Sequence, residues 1–555
     1  MTAYEFDTTL DPAYPVLTRG NAGEIMPDIV SPLSATVFFP PLENAWRRSF
    51  TETWDVMDWP DCPTTFAPIV GGRFYINISA FRRLADLTPG TSPEDIDRTL
   101  FAAGGISLDP YEIPDEPGYG ERGERIAAAT ATFLEHPPVD RIQREHDAAQ
   151  ARRREGRAKR ATSSNTDLLA RFESMQPLME ADFVTLFVGS SVSPVVLGSL
   201  QAGLVGVYGD EGYELGRQAV MGIGGIESAN AGKAVASLVG LTGTAFETAL
   251  QRVLDDYGFR GVNEWEIAAP SWEIRPDVLR RAVNAVAAGG AVRDPDSTRR
   301  AALAKFDLDR VRDKFGELDL WLNRCTVWMG IRERTKATCV LTINEMRLDA
   351  LEIGRRLAAS GALESADQIY FLTFDEFRAA AMVGTVDLAR VHVRQAAKAE
   401  MLKYQEPLFA IAGEIPPVAQ WPLKADAASG GGSDSDSEQG GADVVIGAAG
   451  SPGIAIGRAR VVMDAYTDEP PEPGEVLVAP ITDPGWMPLF VGAAAVVAEM
   501  GGELSHTMIV SRDLGIPAVI GALGATSLIA TGDLVEVDGS NGRVRIIERA
   551  PTRAV

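Results

Sequence analysis

The sequence predicts a multidomain protein in which a large, mainly α-helical region precedes a small α/β domain. Three observations support this fold class. Apolar residues recur with a helical period through much of residues 1–424, residues 425–442 contain no large apolar side chain, and short β-rich runs separated by Gly and Pro fill residues 443–550. With 555 residues and 45% hydrophobic content, the chain is long enough to form packed domains on both sides of that break.

The helical pattern is strongest in five segments of the large region, and one of them is unusually long. The segments are residues 79–87, 127–134, 278–287, 307–360 and 387–412. Helices in globular proteins usually run for about 8–20 residues, so the pattern over 307–360 predicts two long helices packed against each other.

Residues 425–442 read ADAASGGGSDSDSEQGGA, which is the composition of a flexible linker. A coil of that length and composition spans about 23 Å on average. We therefore expect the domain behind the linker to move between two sites.

The α/β domain places a histidine at the start of a predicted helix. A buried strand over 493–498 is followed by His506, with Ser505 as the expected N-cap and Gly515 as the residue that ends the helix. A helix N-terminus presents unpaired N–H donors, and an imidazole nitrogen is nucleophilic near neutral pH. These properties suit a phosphate carrier, although a lone histidine there would equally suit a helix cap.

Two glycines, Gly501 and Gly502, precede this histidine and would let a phosphoryl group approach the backbone closely, with Ser505 completing the cradle. The run GGELSHTMIVSRDLGIPAV (501–519) resembles the swivelling phosphohistidine domain of the phosphoenolpyruvate-utilising enzymes. The flanking runs TDPGWMPLF (482–490) and GDLVEVDG (532–539) extend the resemblance over the whole domain. It implies that His506 carries a phosphoryl group.

Three stretches of the large region are similar to the substrate-binding domain of rifampin phosphotransferase-like proteins. They are PLS (32–34) with GRFYIN (72–77), YGFRG (257–261) with NEWE (263–266), and RERTK (332–336). This resemblance implies that four residues bind the phosphoryl acceptor: Arg260, Glu264, Trp265 and Glu333. Phe259 stands where relatives often have histidine, which favours an apolar pocket. Core packing is the alternative role for Trp265.

Arg332 and Lys336 are four residues apart on a predicted helix and therefore share one face. Two cations on one face can stabilise the charge of a phosphoryl group during transfer, and the resemblance implies this catalytic role. The alternative is that both residues pair with surface carboxylates.

The composition of the chain argues against several classes of binding partner. The net charge of −25 disfavours nucleic acid and anionic membranes, and neither a targeting segment nor a membrane span is evident. Three cysteines are too few for a disulfide framework or a cysteine-rich metal site, which indicates a reducing compartment such as the cytoplasm. We expect neither a metal site nor a tightly bound cofactor in this chain.

Relatives of this type usually carry an ATP-grasp domain, for which the sequence offers no counterpart, and the chain has no phosphate loop. The resemblance to the split phenylphosphate synthase and 4-methylbenzyl phosphate synthase implies a partner ATP-grasp subunit that binds ATP and Mg²⁺. The expected function is transfer of phosphate to a hydroxyl of a small aromatic compound, with release of AMP and phosphate. The alternatives are an antibiotic-type hydroxyl phosphotransferase and a non-catalytic phosphocarrier or ligand-binding protein.

Overall fold

The computed structural model describes residues 4–12, 14–55, 65–87, 92–94, 119–220, 227–286, 300, 303–407, 409–411, 414–424, 443–501 and 505–551. A large, mainly helical region is followed by a small α/β domain, so the predicted fold class is confirmed. The predicted linker, residues 425–442, lies outside the described residues, and the boundaries drawn around it remain predictions.

The described part of the large region is mainly helical. In chain order, its described helices are α1 (Gly20–Ile25), α2 (Pro32–Val37), α3 (Phe39–Arg48), α4 (Ile78–Leu87), α5 (Tyr119–Glu135), α6 (Val139–Lys159), α7 (Asn165–Tyr208), α8 (Glu211–Ala219), α9 (Glu227–Ala236), α10 (Gly243–Tyr257), α11 (Asp277–Val286), α12 (Leu308–Lys314), α13 (Leu318–Ala359), α14 (Phe374–Val383) and α15 (Leu388–Met401). A π-helical turn (Ser49–Thr53) and 3₁₀ turns (Ala366–Phe371 and Val418–Gln420) accompany them.

Short strands tie the beginning of this region to its end. They are β1 (Val16–Thr18), β2 (Ile69–Val70), β3 (Arg73–Phe74), β4 (Ile76–Asn77) and β5 (Phe409–Ile411). Strand β1 lies between β4 and β5 and runs antiparallel to both, while β2 and β3 form a separate antiparallel pair. This arrangement holds α1 close to the middle of the molecule.

Helices α7 and α13, of 44 and 42 residues, form the axis of the large region. Ser164 caps α7 and forms a capping box with Asp167. Where the two helices meet, a Cβ on Gly189 of α7 would lie 3.3 Å from the Cα of Arg332 on α13. The missing side chain at Gly189 therefore lets the α13 backbone approach closely at the position of Arg332.

The expectation of two long helices within 307–360 is wrong. Helix α12 ends at Lys314, and Gly316 follows it with a φ of +75°. Helix α13 then continues without interruption from Leu318 to Ala359. The packing partner of α13 is α7, a helix that periodicity did not reveal. The apolar residues of α7 are spread around the helix and not confined to one face, and Pro177 and Pro194 lie within it. Its tertiary packing overrides the low helical propensity of proline.

Helix α7 is long and apolar enough, by length and composition alone, to cross a membrane. Its main contacts are with α13, α8 and α3 inside the large region. Within its most apolar stretch, 44% of the residues are buried in the structure.

The α/β domain contains one eight-stranded sheet. Its strands are β6 (Val444–Ile446), β7 (Ala448–Ser451), β8 (Ile454–Val461), β9 (Val476–Ala479), β10 (Ala495–Ala498), β11 (Ala518–Ile520), β12 (Leu534–Asp538) and β13 (Arg543–Glu548). Its helices are α16 (Met487–Phe490), α17 (His506–Leu514) and α18 (Ala525–Leu528), with a 3₁₀ turn at Pro484–Trp486. The strand order is β6-β13-β12-β8-β9-β10-β11-β7, and β8 to β11 are parallel to one another.

Side chains alternate along the parallel strands, so the sheet contributes to two separate cores. One face forms a core within the α/β domain, called here the sheet core, which includes Val476, Val478, Ala495, Val497, Ile529 and Val535. The other face, together with α16 and α17, packs on α9, α10 and α11 of the large region. This second cluster, the interdomain core, includes Val235, Val253, Leu279, Leu477, Met487 and Val510.

Polar contacts align the two domains beside the interdomain core. The hydroxyl of Tyr466 accepts a hydrogen bond from the Val262 N–H at 3.0 Å and donates one to the Pro270 carbonyl. A Cβ on Gly485 would lie only 2.0 Å from the Val262 nitrogen. The α/β domain therefore docks through close backbone contact that a side chain at position 485 would block.

Candidate active site

His506 is the first residue of α17. The hydroxyl of Ser505 accepts a hydrogen bond from the Met508 N–H at 3.3 Å, and Gly515 ends the helix in the left-handed conformation. Both predicted ends of this helix are confirmed. This cap satisfies the Met508 N–H, one of the first backbone N–H groups of α17 that have no acceptor within the helix.

Gly501, which precedes α17, lies against the start of this helix. Gly501 has a φ of +144°, which favours glycine, and a Cβ there would lie 3.0 Å from Ser505 Oγ. Gly502 lies outside the described residues. Gly501 and Ser505 thus lie together beside His506, and their role in holding a phosphoryl group remains a prediction.

The imidazole of His506 is only 6% exposed and is held mainly by neighbours on its own domain. Its Nδ1 lies 3.4 Å from Thr482 Oγ1, which in turn lies 2.7 Å from Thr507 Oγ1, and the Phe490 ring meets the imidazole edge to face. Burial lowers the pKa of His506 well below its ordinary value, and the positive charges of Lys336 and Arg260 lower it further. The imidazole is therefore neutral at physiological pH.

His506 forms part of the wall of a cavity of about 120 Å³ between the two domains. Its Nε2 is buried and has no hydrogen-bond partner among the described atoms. The apolar part of the wall comes from α1, α3, α7 and neighbouring segments, and it includes Ile25, Phe38, Trp46, Phe183, Phe187 and Trp265. The polar part includes Glu24, Arg332, Glu333 and Lys336. The arrangement places an imidazole nitrogen at a largely apolar cavity.

Arg332 and Lys336 both line this cavity from one face of α13, where the sequence predicts them. Arg332 Nη1 donates to Glu333 Oε1 at 2.9 Å, and this carboxylate also lines the cavity. Lys336 lies close enough to lower the pKa of His506. Arg332 is paired with a carboxylate of its own helix, so both the catalytic role and the alternative of ion pairing remain predictions.

Arg260 and Glu264 lie in the turn between α10 and α11, and they form a fully buried ion pair at 2.9 Å. Among the described cavity-lining residues, this turn contributes Trp265, whereas the ion pair lies behind the wall. Arg260 still acts on the site electrostatically, because its charge lowers the pKa of His506. The structure brings Trp265 and Glu333 to the cavity but not the Arg260–Glu264 pair.

The neighbouring residue Phe259 is directed away from the cavity. Its ring lies beneath the guanidinium groups of Arg153 and Arg260, at 5.5 and 5.0 Å from the ring centroid. The apolar character of the cavity therefore comes from Phe38, Trp265 and residues of α3 and α7 rather than from Phe259.

Glu24 is a polar residue of the site that sequence reasoning missed. It lies on α1 and is 9% exposed, and the backbone N–H of His506 and the Ser505 hydroxyl donate hydrogen bonds to its carboxyl group. No local sequence pattern marks Glu24 as functional, because α1 is a short helix and the stretches that resemble the substrate-binding domain begin only at residue 32. Its neighbour in space, His506, is 482 residues away in sequence.

Residues 471–542, which include His506, match the family described as the mobile domain of PEP-utilising enzymes. The chain carries a PEP-utilising mobile domain. Residues 226–333 match the fourth domain of rifampicin phosphotransferase, which covers the Arg260–Glu264 turn and ends before Lys336. Both matches confirm the resemblances drawn from the sequence, and the mobile domain is the α/β domain described above.

The curated relatives agree with these two family matches. A rifampicin phosphotransferase of a Streptomyces species is 32% identical over 317 residues, which is 55% of this chain and 35% of that protein. The prodigiosin synthesizing transferase PigC of Serratia marcescens is 33% identical over 53% of this chain and 33% of its own length. The uncharacterized phosphotransferase YvkC of Bacillus subtilis is 33% identical over 37% of this chain and 24% of its own. The chain thus spans about a third of the length of the first two.

Proposed function

We propose that this chain is a phosphotransferase in which His506 carries a phosphoryl group from ATP to a hydroxyl of a small aromatic compound. The observation that carries the proposal is the placement of His506: a neutral, buried imidazole on a PEP-utilising mobile domain forms the wall of an apolar cavity that also holds two cations. The similarity to phosphotransferases supports the reaction class.

In the first half-reaction, His506 is charged. The Nε2 atom attacks a phosphorus of the nucleotide, the phosphorus–oxygen bond breaks, and AMP leaves. The proposal assigns ATP and Mg²⁺ to a separate ATP-grasp subunit that transfers a diphosphoryl group, which then loses phosphate to water. The unpartnered Nε2 supports its role as nucleophile, because Nδ1 is next to Thr482.

In the second half-reaction, the mobile domain docks as in this structure and the phosphoryl group enters the cavity. Lys336 and Arg332 stabilise the negative charge on the oxygens of the group in transfer, and Glu333 orients Arg332. The apolar wall limits the access of water, which would otherwise hydrolyse the phosphohistidine.

The size of the cavity supports a small acceptor. An apolar cavity of roughly 150 Å³ holds one benzene ring in a protein core, and the space here is about 120 Å³. The aromatic side chains Phe38, Phe183 and Trp265 offer ring faces and edges to such an acceptor. We therefore place phenol-like and cresol-like compounds first.

A second candidate is an acceptor of the rifampicin type. The match to rifampicin phosphotransferases over 55% of this chain favours it. It requires the cavity to open well beyond its present volume, whereas a single-ring phenol does not. Comparison of phenols with rifampicin as acceptors separates the two candidates.

The decisive experiment is the intact mass of the chain after incubation with ATP, Mg²⁺ and a candidate ATP-grasp partner. The expected result is an acid-labile phosphate adduct that is absent in His506→Ala. The charged chain is then offered p-cresol, phenol and rifampicin, and the phosphorylated product is identified by mass. An adduct that passes to no hydroxyl compound favours a non-catalytic phosphocarrier. Absence of any adduct, with a partner shown to bind both ATP and the chain, contradicts the proposal.

A further inference from the structure

Transfer of a phosphoryl group to a hydroxyl releases a proton, and a group in the cavity must accept it. The arginine and lysine of the cavity wall are hydrogen-bond donors with no lone pair to offer, and His506 is the leaving group. Two carboxyl groups, Glu24 and Glu333, remain among the described groups that line the cavity.

The two carboxyl groups differ in how they are engaged. Glu333 accepts a hydrogen bond from Arg332 at 2.9 Å, so its charge is used to hold that guanidinium in place. Glu24 Oε1 is buried and has no hydrogen-bond partner among the described atoms. The hydrogen bonds that the Glu24 carboxyl group does accept come from the His506 backbone N–H and the Ser505 hydroxyl. They fix this carboxyl group at the start of α17.

We propose that Glu24 is the catalytic base that takes the proton of the acceptor hydroxyl. The inference rests on the proposed function, because it concerns the transfer half-reaction at the same cavity. The acceptor O–H bond breaks and its proton passes to the Glu24 carboxylate, while the acceptor oxygen forms a bond to phosphorus. The phosphorus–Nε2 bond breaks, and its electron pair returns to an imidazole that keeps a proton on Nδ1 and leaves neutral.

The electrostatic setting suits this role. Burial raises the pKa of Glu24 to about 8, and the positive charges of Lys336 and Arg332 and hydrogen bonds from His506 and Ser505 oppose the rise. The charged and titratable groups that face Glu24 are thus Lys336, Arg332 and Glu333 on α13 and His506 on α17. A base whose pKa lies near the working pH combines basicity with a useful ionised fraction.

The test separates charging from transfer. Wild type, Glu24→Gln, Glu24→Asp and Glu333→Gln are charged directly with potassium phosphoramidate, which donates its phosphoryl group to histidine and releases ammonia. His506→Ala gives the background from the other histidines. Formation of p-cresyl phosphate from each charged protein is then followed from pH 6 to pH 9.

We expect equal charging of wild type and Glu24→Gln. Wild-type transfer rises with pH and levels off above about pH 8, whereas Glu24→Gln transfers about 100-fold more slowly and lacks that rise. Glu24→Asp recovers part of the rate, and Glu333→Gln is slower but keeps the rise. Glu24→Gln with the wild-type rate and pH profile overturns the assignment of Glu24 alone. A wild-type chain that charges but phosphorylates no phenol contradicts the proposed acceptor, and the assignment falls with it.

Discussion

Both faces of the mobile-domain sheet carry buried apolar side chains, but different parts of the chain bury them. Val476 and Val478 pack in the sheet core, which the mobile domain forms from its own residues, whereas Leu477 and Ala479 pack in the interdomain core with α9, α10 and α11. Alternate residues of one strand therefore belong to separate cores. The comparison teaches that folding and docking of this domain are distinct events, each with its own set of apolar residues.

The face that takes part in docking is also the face that carries the chemistry. Helix α17 packs in the interdomain core through Val510 and Leu514, and it begins with His506 at the cavity wall. In the docked arrangement, the same contacts bury apolar surface and place the imidazole at the cavity wall. Changes that act on docking should impair transfer while sparing the fold of the mobile domain.

The largest effect is expected from Gly485→Ala. In the docked state, the new Cβ would lie 2.0 Å from the Val262 nitrogen and 2.1 Å from the carbonyl carbon of Gly261. Even a 1 Å displacement of reacting groups can cost about 100-fold in rate. We expect at least that loss in transfer to the acceptor, a larger radius of gyration by X-ray scattering, and normal charging of His506.

The matched control is Gly198→Ala on α7, where a new Cβ meets nothing within 4 Å. It should transfer at the wild-type rate. If Gly485→Ala transfers as fast as this control, the docked arrangement is not the one in which transfer takes place.

Two truncations sharpen the distinction between the cores. Ile529→Ala opens a cavity in the sheet core and Leu279→Ala opens one in the interdomain core, and each should cost about 2–5 kcal/mol. Hydrogen exchange of β9 and β12 should accelerate strongly in Ile529→Ala. In Leu279→Ala the acceleration should be confined to α11 and the surfaces docked on it. Equal acceleration everywhere in both variants would mean that the two cores form one cooperative unit.

Docking should depend on pH through Asp483, which accepts hydrogen bonds from the Asn263 and Gly485 N–H groups. Burial and the neighbouring Glu264 raise its pKa to about 7 in the docked state, although Lys336 opposes the rise. Because the protonated form is favoured when docked, docking is strongest near pH 4 and weakens as the pH rises to about 7. We expect the docked fraction to fall between pH 4 and pH 7, measured by scattering, and Asp483→Asn to remove this fall. A pH profile unchanged in this variant would exclude Asp483 as its source.

The smallest effect is expected from Tyr466→Phe. Loss of the hydroxyl leaves the Val262 N–H and the Pro270 carbonyl without this partner, at a cost of about 1–3 kcal/mol if both stay buried. Transfer should fall roughly tenfold while the thermal unfolding of the mobile domain stays unchanged. A lower unfolding temperature for that domain would show that Tyr466 supports its fold and not only its docking.

Local signals explain what the sequence predicted well. The α17 helix is specified by Ser505, His506 and Gly515, which are within ten positions of one another and whose capping chemistry needs no distant partner. The shared face of Arg332 and Lys336 likewise follows from helical spacing alone. These features were predictable because the physics that sets them is local.

Distant contacts explain what the sequence did not reveal. Glu24 reaches the site because β1, β4 and β5 hold α1 against the mobile domain, an arrangement that no short-range pattern encodes. The Arg260–Glu264 pair was expected at the acceptor, but tertiary packing buries it behind the wall that Trp265 forms. Helix α7 carries no clear amphipathic period because apolar residues also occupy exposed positions on it, such as Leu178 and Val205.

The apolar character of the interdomain core has a thermal consequence. Burial of apolar surface lowers the heat capacity, so the docking equilibrium carries a negative heat-capacity change. Hydrophobic association weakens on cooling, and the docked population should therefore fall at low temperature even while each domain stays folded. An Arrhenius plot of the transfer step should accordingly curve downward in the cold, because fewer molecules then hold His506 at the cavity.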